Sequence, residues 1–213
     1  MKDRLAVITR IHYEKDDPKF IGRVETYRKY TLPSLLNQTD QDFDIFVWCE
    51  PHHDELFMNL NNRINVIHGD WKPRARTGKY FIDYTPYSAI RGLDRYIAQL
   101  GVDSDDELLP TAVEEVKKHL NGDRKAISIQ PTKHDTETGK NYRMKSYQKR
   151  DKLAPIFCIY QPDDPYLFIY EYGHYSGMPL QFKNKIYLGE LAIMNIHGEN
   201  ESTKANVDND EEI

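Results

Sequence analysis

Three carboxylates stand close together near the middle of the chain, in the segment Asp103-Ser104-Asp105-Asp106, which follows a short apolar run. If that run is a strand, Asp103 and Asp105 point to the same side, because side-chain direction in a strand has a period of two residues. Their Cα atoms then lie about 6.6 Å apart. Carboxylates this close repel each other unless protons or a cation neutralise them. The spacing therefore predicts a divalent metal site that involves Asp103 and Asp105.

Three other interpretations of the acidic segment compete with a metal site. Carboxylates favour a helix N-terminus, so Asp106 and Glu107 could cap a helix that we predict over residues 110–120. An EF-hand loop beginning at Asp103 fails at its sixth position, where Leu108 stands in place of the required glycine. A plain solvated charge run is the third alternative. Capping does not require three acids, and solvated runs rarely end an apolar strand, so metal binding is favoured.

Two basic runs could bind a small anion such as a diphosphate, because Arg matches phosphate geometry. The first run contains Arg74, Arg76 and Lys79. The second contains Arg143, Lys145, Lys149, Arg150 and Lys152. The net charge of −5 argues against a general nucleic-acid-binding protein, since phosphate backbones need a dense Lys/Arg surface.

The composition is typical of a soluble globular protein, with 213 residues of which 39% are hydrophobic and 30% charged. Cys49 and Cys158 lie in apolar runs, which predicts buried thiols instead of a disulfide framework. We find no signal-peptide pattern at the N-terminus and no apolar run near the roughly 20 residues of a membrane span. These observations predict a reducing, cytosol-like compartment.

The order of elements predicts an α/β fold with a largely parallel sheet. Strands predicted over residues 5–9, 44–49 and 64–68 alternate with helices predicted over 27–38 and 55–62. Pro33 is expected near a helix start or a kink. Further predictions are a helix over about 88–98, strands over 126–130, 155–160 and 166–172, and a turn over 134–141. Residues 186–196 are less clear, and a helix is possible there.

The segment AIRGLDRYIAQLGVDSDDELLP resembles the part of GT-A glycosyltransferases in which a helix with an Arg precedes the strand that ends in the DXD motif. ITRIHYE and TLPSLLNQTDQDFDIFVW resemble the opening of bacterial rhamnosyltransferases of that class. The resemblance covers residues 4–115 well and the C-terminal half more loosely. The sequence is also similar to N-terminal glycosyltransferase domains of chlorella-virus proteins implicated in glycosylating the major capsid protein.

This resemblance implies one GT-A domain over residues 1–198, with a Rossmann-like, mostly parallel central sheet flanked by helices. Its nucleotide-binding part covers residues 1 to about 110, and its acceptor part residues from about 111 to 198. Residues 199–213 are almost without apolar side chains, which is typical of a linker or a disordered end. We therefore expect the domain to belong to a larger multidomain chain.

The resemblance also implies roles for individual residues. The loop after the first strand contacts the base and ribose, an acid at the end of the second strand meets the base, and the helix Arg faces the nucleotide. The implied nucleotide-binding residues are Thr9, Arg10, Tyr13, Glu50, Arg91, Asp103 and Ser104. Asp103 faces the ribose or reaches the metal through water, and Asp105 ligates the metal directly. Arg74, Arg76 and Lys79 are the cations that we expect near the diphosphate.

A late histidine reaches the same metal in many GT-A enzymes, and His174 and His197 are the candidates here. We prefer His197, because it follows the apolar run LAIMNI and because Gly198 allows close backbone approach. An inverting enzyme also needs a carboxylate that takes the proton of the acceptor. The candidates for this base are Asp163, Asp164, Glu171 and Glu190. A retaining enzyme would not need it, and the sequence leaves the stereochemistry open.

These observations predict a Mn²⁺- or Mg²⁺-dependent glycosyltransferase. Its expected donor is a UDP-hexose or UDP-deoxyhexose, with glucose and rhamnose the leading sugars, and its acceptor is a glycan or glycoprotein, such as a viral capsid protein. A sugar-nucleotide pyrophosphorylase is a rival, but ITRIHYEKDD lacks the Gly-rich phosphate loop of those enzymes. A calcium-dependent sugar-binding module without catalysis is a rival from another class.

Overall fold

The fold is described from a computed structural model. It describes residues 4–11, 18–49, 53–68, 96–144, 154–162, 182–197 and 211–213. Within them, no helix is both long and apolar enough to cross a membrane.

The N-terminal half of the sheet is parallel. β1 (Leu5–Arg10) lies between β2 (Asp44–Cys49) and β4 (Ala98–Asp103), and β3 (Ile64–His68) lies outside β2. β1, β2 and β4 are buried along almost their whole length, as expected for apolar strands that are covered on both faces. The structure therefore confirms the strands predicted over residues 5–9, 44–49 and 64–68.

The first helical stretch is longer than predicted. It begins with α1 (Pro18–Thr26), continues through a π-helix (Tyr27–Thr31) and ends with α2 (Leu32–Leu36). Pro33 stands in the first turn of α2, as predicted, where its missing N–H is tolerated. The helix predicted over residues 55–62 is the shorter α3 (Asp54–Met58).

The C-terminal half of the sheet is mostly antiparallel. Beyond β4 the order continues with β8 (Ile156–Tyr160), β6 (Lys125–Asp135), β7 (Asn141–Arg143) and β10 (Glu211–Glu212). The turn between β6 and β7 has the left-handed Gly139 and confirms the turn predicted over residues 134–141. β10 pairs with β7, so the end of the predicted polar tail joins the sheet. Residues 198–210 and the strand predicted over 166–172 lie outside the described residues.

A long strand, β9 (Asn184–Ile196), pairs with two other strands. It runs parallel to β6, with irregular register near Gln130, and its end pairs with β5 (Asp106–Leu108). These residues therefore form a strand, and the helix considered possible over residues 186–196 is not present. Two neighbouring strands satisfy the backbone of this segment, and they override the ambiguous local pattern.

Two other sequence-based predictions are corrected around the acidic segment. Asp106 and Glu107 lie in β5 and do not cap a helix, because α4 (Ala112–Lys117) begins later, with Thr111 at its N-cap. The helix predicted over 88–98 does not extend to its predicted end, because Ala98 already belongs to β4. Residues 69–95 lie outside the described residues.

The buried amide of Gln38 ties the end of α2 to the segment between β5 and α4. Its Nε2 donates to the carbonyl oxygens of Ser34 at 2.9 Å and Leu109 at 3.0 Å, and its Oε1 accepts from the Val113 N–H at 3.0 Å. Buried backbone groups need such partners, since an unpaired one carries its full desolvation penalty. Gln38 therefore fixes the position of the chain that leaves the acidic segment.

We expect Gln38→Ala to lower the free energy of unfolding by about 2–3 kcal/mol, because it leaves buried backbone groups unpaired. Urea unfolding followed by circular dichroism measures the change. The exposed neighbour Asn37 provides the control, and Asn37→Ala should change stability by no more than about 0.5 kcal/mol. Equal effects of the two substitutions would show that the Gln38 amide does not anchor this segment.

Candidate functional site

The candidate site lies where β1 and β4 end side by side. Arg10 and Asp103 are register partners, as are Thr9 and Val102 one residue earlier. Thr9 is buried, whereas Asp103 is exposed to solvent. Ligands of open α/β sheets bind beyond the carboxyl ends of the strands, and this is the edge that the sequence predicted.

The chain turns directly after Asp103. Ser104 and Asp105 form that turn and are buried, and Asp106 begins β5. The prediction that Asp103 and Asp105 share one face of a single strand is therefore wrong, since β4 ends at Asp103. The turn sends Asp105 toward the helices, while Asp103 remains at the strand end.

Asp105 is held by two side chains that are distant in sequence. Its Oδ2 accepts a hydrogen bond from Nη1 of Arg23 at 2.8 Å and lies 3.2 Å from Nε2 of His197. The three side chains are only 11%, 16% and 17% exposed, respectively. Arg23 belongs to α1, and His197 follows directly after β9. This Asp105 group is the centre of the candidate site.

The pairing of β9 with β5 explains why His197 arrives there. Asp106 and Met194 are register partners, and Nδ2 of the neighbouring Asn195 donates to the Asp105 carbonyl at 2.8 Å and to Glu107 Oε1 at 2.9 Å. Of the two histidines considered, the structure thus brings His197 to Asp105, and His174 lies outside the described residues.

The three carboxyls of the segment differ in their ionisation. Burial raises the pKa of Asp105, but the hydrogen bond to His197 and the charge of Arg23 outweigh this and lower it. Burial raises the pKa of Asp106 well above its usual range, and the charges of Asp105 and Asp103 add to that effect. At neutral pH Asp105 is therefore charged, and Asp106 is the member that tends to keep its proton.

Asp103 has a raised pKa, because adjacent protein removes part of its hydration and the charge of Asp105 repels it, while Arg10 and Arg23 oppose the shift. The residue as a whole is nevertheless open to solvent, and water favours the charged form. We therefore treat Asp103 as charged at neutral pH. The site then holds charged Asp103 and Asp105 beside two arginines.

Two of the residues predicted to bind metal fit a divalent ion. Neighbouring ligand atoms of an octahedral ion with bonds of about 2.1 Å lie about 3 Å apart, close to the distance between Asp105 Oδ2 and His197 Nε2. No group of three or more His, Cys, Asp or Glu side chains in the described part of the chain is arranged to hold a metal. Mg²⁺-type ions need only one or two carboxylates, because water and substrate phosphates complete their coordination.

An open groove of about 620 Å³ lies beside the Asp105 group. Its walls come from α1, the π-helix, the turn after β6 and the end of β9. The lining residues are Gly22, Glu25, Thr26, Arg28, Lys29, Tyr30, Thr136 and His197. Charged groups and one aromatic ring dominate this lining, so the groove suits a ligand rich in hydroxyl or phosphate groups.

Comparison with protein families decides the classification. Residues 2–209 match the model of the family described as "Putative rhamnosyl transferase". The chain belongs to this family. The prediction of a glycosyltransferase that resembles rhamnosyltransferases is thereby confirmed at the level of the family. No curated protein matches the sequence.

Two solved structures of TarS support the fold of this rhamnosyl transferase family member. A structure of S. aureus TarS has a TM-score of 0.53 and 14% identity, and covers 91% of this chain and 37% of that one. Another, of TarS 1-349, has a TM-score of 0.52 and 12% identity, with coverages of 90% and 60%. The glycosyltransferase GlyE of Streptococcus pneumoniae reaches 0.47 at 12% identity, with coverages of 86% and 44%. The chain thus spans 37% and 60% of the TarS chains, and the TarS structures confirm the predicted α/β, GT-A type fold.

Most other predicted site residues lie outside the described part of the chain. They are Tyr13, Glu50, Arg74, Arg76, Lys79, Arg91, Asp163, Asp164, Glu171 and His174. Glu190 is described, and its Oε1 accepts a hydrogen bond from Nε of Arg143 at 2.7 Å. It lies seven residues before His197 on an extended strand, roughly 20 Å away. The structure therefore does not bring Glu190 to the Asp105 group.

Sequence reasoning missed Arg23 and Asn195. Arg23 lies in a helix that we did not predict, and only the fold shows which carboxylate its guanidinium meets. Asn195 lies two residues before His197, in the segment where a helix remained possible. Alternation along MNIH would have been the available signal, because it places Asn195 and His197 on the same side of a strand.

We expect Asp106→Asn to become more stable relative to the wild type as pH rises above about 4. The folded protein keeps the Asp106 proton at pH values where the unfolded chain has released it, so wild-type stability falls between the usual pKa of 3.8 and the raised folded value. Asparagine has no such proton. Urea unfolding of both proteins in EDTA, at one-unit pH intervals from 5 to 8, measures the difference. A difference that stays constant over this range would contradict the assigned ionisation.

Proposed function

We propose that this chain is a metal-dependent glycosyltransferase that moves a hexose or deoxyhexose from a UDP-sugar to a glycan acceptor. One observation carries the proposal. The carboxylate of Asp105 and the imidazole of His197 meet at 3.2 Å beyond the sheet edge, next to Asp103 and beside an open groove. Family membership supports the transfer of a sugar, and these donor atoms support a divalent cation.

The residues around Asp105 have distinct tasks in this proposal. Asp105 and His197 would hold Mn²⁺ or Mg²⁺, which supplies positive charge to the departing diphosphate. Arg10 lies beside Asp103 and offers a second positive charge at the strand ends where the nucleotide is expected. Thr31 Oγ1 donates to the Asp103 carbonyl at 3.3 Å and so links the π-helix to the strand end. Preorganised charges of this kind stabilise a transition state without further rearrangement.

The proposed donor and acceptor come from the resemblance to rhamnosyltransferases and to chlorella-virus glycosyltransferase domains. UDP-glucose and UDP-rhamnose are the leading donors, and the acceptor is a glycan or glycoprotein, such as a viral capsid protein. The base of an inverting reaction would be Asp163, Asp164 or Glu171, since Glu190 is remote from Asp105. We propose a reducing, cytosol-like compartment for the reaction, which the buried thiols of Cys49 and Cys158 fit.

We expect UDP to bind much more weakly in EDTA than in Mn²⁺, by at least about tenfold, because its phosphates lose the cation that would offset their charge. Asp105→Asn should abolish the difference between the two conditions and reduce transfer to background. Isothermal titration with UDP, with and without Mn²⁺, measures the binding. The matched control is the isosteric Asp106→Asn, which should retain the metal dependence because Asp106 tends to be uncharged.

Two outcomes would refute the metal-dependent enzyme. Equal UDP affinity of the wild type in EDTA and Mn²⁺ would remove the role of the metal. Calcium-dependent binding of free sugars without affinity for UDP would instead identify the sugar-binding module considered above.

We expect a donor screen to release UDP from UDP-glucose or UDP-rhamnose and to leave CMP- and GDP-sugars unused. Glucose and rhamnose differ mainly at one hydroxyl and in ring configuration. A site built to bond a hydroxyl strongly rejects a sugar that lacks it. One of them should therefore exceed the other by at least about a hundredfold in kcat/KM. Release of only CMP or GDP would contradict the nucleotide-binding roles of Thr9, Glu50 and Arg91.

A further inference from the structure

We propose that Arg23 is a built-in counter-ion that competes with the divalent cation for Oδ2 of Asp105. Metal binding and release of the Arg23 hydrogen bond would then be coupled. The inference deepens the proposed function and rests on it, since it concerns the same metal. It assigns Arg23 a positioning role that neither the family resemblance nor the sequence indicated.

The geometry places two side-chain partners on one carboxylate oxygen. Nη1 of Arg23 donates to Asp105 Oδ2 at 2.8 Å, and His197 Nε2 lies 3.2 Å from that same atom. Oδ2 is the carboxylate oxygen next to His197 Nε2, so an ion held by Asp105 and His197 would share this oxygen with Arg23. Its positive charge would also repel the guanidinium at this short range. Arg23 and the ion would therefore compete for Oδ2.

The burial of the pair explains why such a counter-ion is needed. The Asp105 side chain is only 11% exposed, and Nη1 of Arg23 lies 2.8 Å from its Oδ2. A buried carboxylate without a partner would be strongly destabilising. Arg23 thus allows Asp105 to be ionised and ready for a cation before any metal arrives.

The open groove lies close enough to Arg23 to accept its guanidinium after displacement from Asp105. Its neighbours Gly22, Glu25 and Thr26 line the open groove beside the Asp105 group. A guanidinium displaced from Asp105 would therefore lie close to this groove. It could there pair with a phosphate or another anion of the substrate.

Titration of the purified chain with Mn²⁺ alone, followed by the electron paramagnetic resonance signal of the unbound ion, tests the competition. We expect Arg23→Gln to bind Mn²⁺ about tenfold more tightly than the wild type, since the ion no longer displaces a charge-assisted hydrogen bond. Arg23→Lys retains the charge and should stay near the wild-type affinity. Asp105→Asn combined with Arg23→Gln should lose the gain.

Arg28→Gln is the matched control, because Arg28 lines the same groove and its loss removes an equal charge nearby. A similar gain in Arg28→Gln would reduce the effect to general electrostatics and overturn the inference. Unchanged or weaker binding by Arg23→Gln would also overturn it, while leaving the proposed metal site intact. Failure of all these proteins to bind Mn²⁺, even with UDP, would refute the proposed function itself.

A measurement on the wild type keeps the inference testable if Arg23→Gln does not fold. The guanidinium resonance of Arg23, assigned by its absence in Arg23→Lys, should show restricted rotation in EDTA. Addition of Mg²⁺ should release that restriction. An Arg23 resonance that is unchanged at saturating Mg²⁺ would contradict displacement.

Discussion

A buried negative charge on Asp105 is the constraint on which the candidate site depends. Such a carboxylate is stable only when partners compensate for lost hydration. The partners here are separated from it by 82 residues on one side and 92 on the other, in Arg23 and His197. The requirement to neutralise one side chain therefore links α1, the turn after β4 and the end of β9. The site therefore forms only when these three segments pack together.

Backbone pairing between strands brings His197 to Asp105. β5 is only three residues long, but it pairs with β9 and so directs the strand end toward Asp105. From the other side, Gln38 holds the segment after β5 against α2. The turn that contains Asp105 is thus fixed through β5 by β9 and by Gln38. It can hold the Asp105 carboxylate in one geometry, as preorganised sites require.

The sequence predicted the parts of the structure that local patterns determine. β2 and β3 have the predicted bounds because each is a short apolar run between polar turns. β9 was ambiguous because its local pattern fits a strand or a helix. Pairing with β6 along its whole length, and with β5 near its end, decides its conformation. The acidic segment was recognised as a site, but its turn was not, because charged residues at a strand end are compatible with either a continued strand or a reversal. Arg23 could not be assigned, since an ion pair across 82 residues leaves no local pattern.

The balance of charge explains why a cation would still be needed at a site that already contains two arginines. Asp103 and Asp105 are offset by Arg10 and Arg23, and Asp106 tends to keep its proton. The acidic segment is therefore close to neutral in itself, and repulsion between bare carboxylates is not the main reason for a metal. Each phosphate of a nucleotide-sugar adds a negative charge that these paired arginines cannot offset without leaving an aspartate unpaired. In the proposed function a divalent ion would resolve this conflict, because it would replace Arg23 at Asp105 and bring more charge than it displaces. The need for the ion would therefore be greatest once the substrate phosphates are bound.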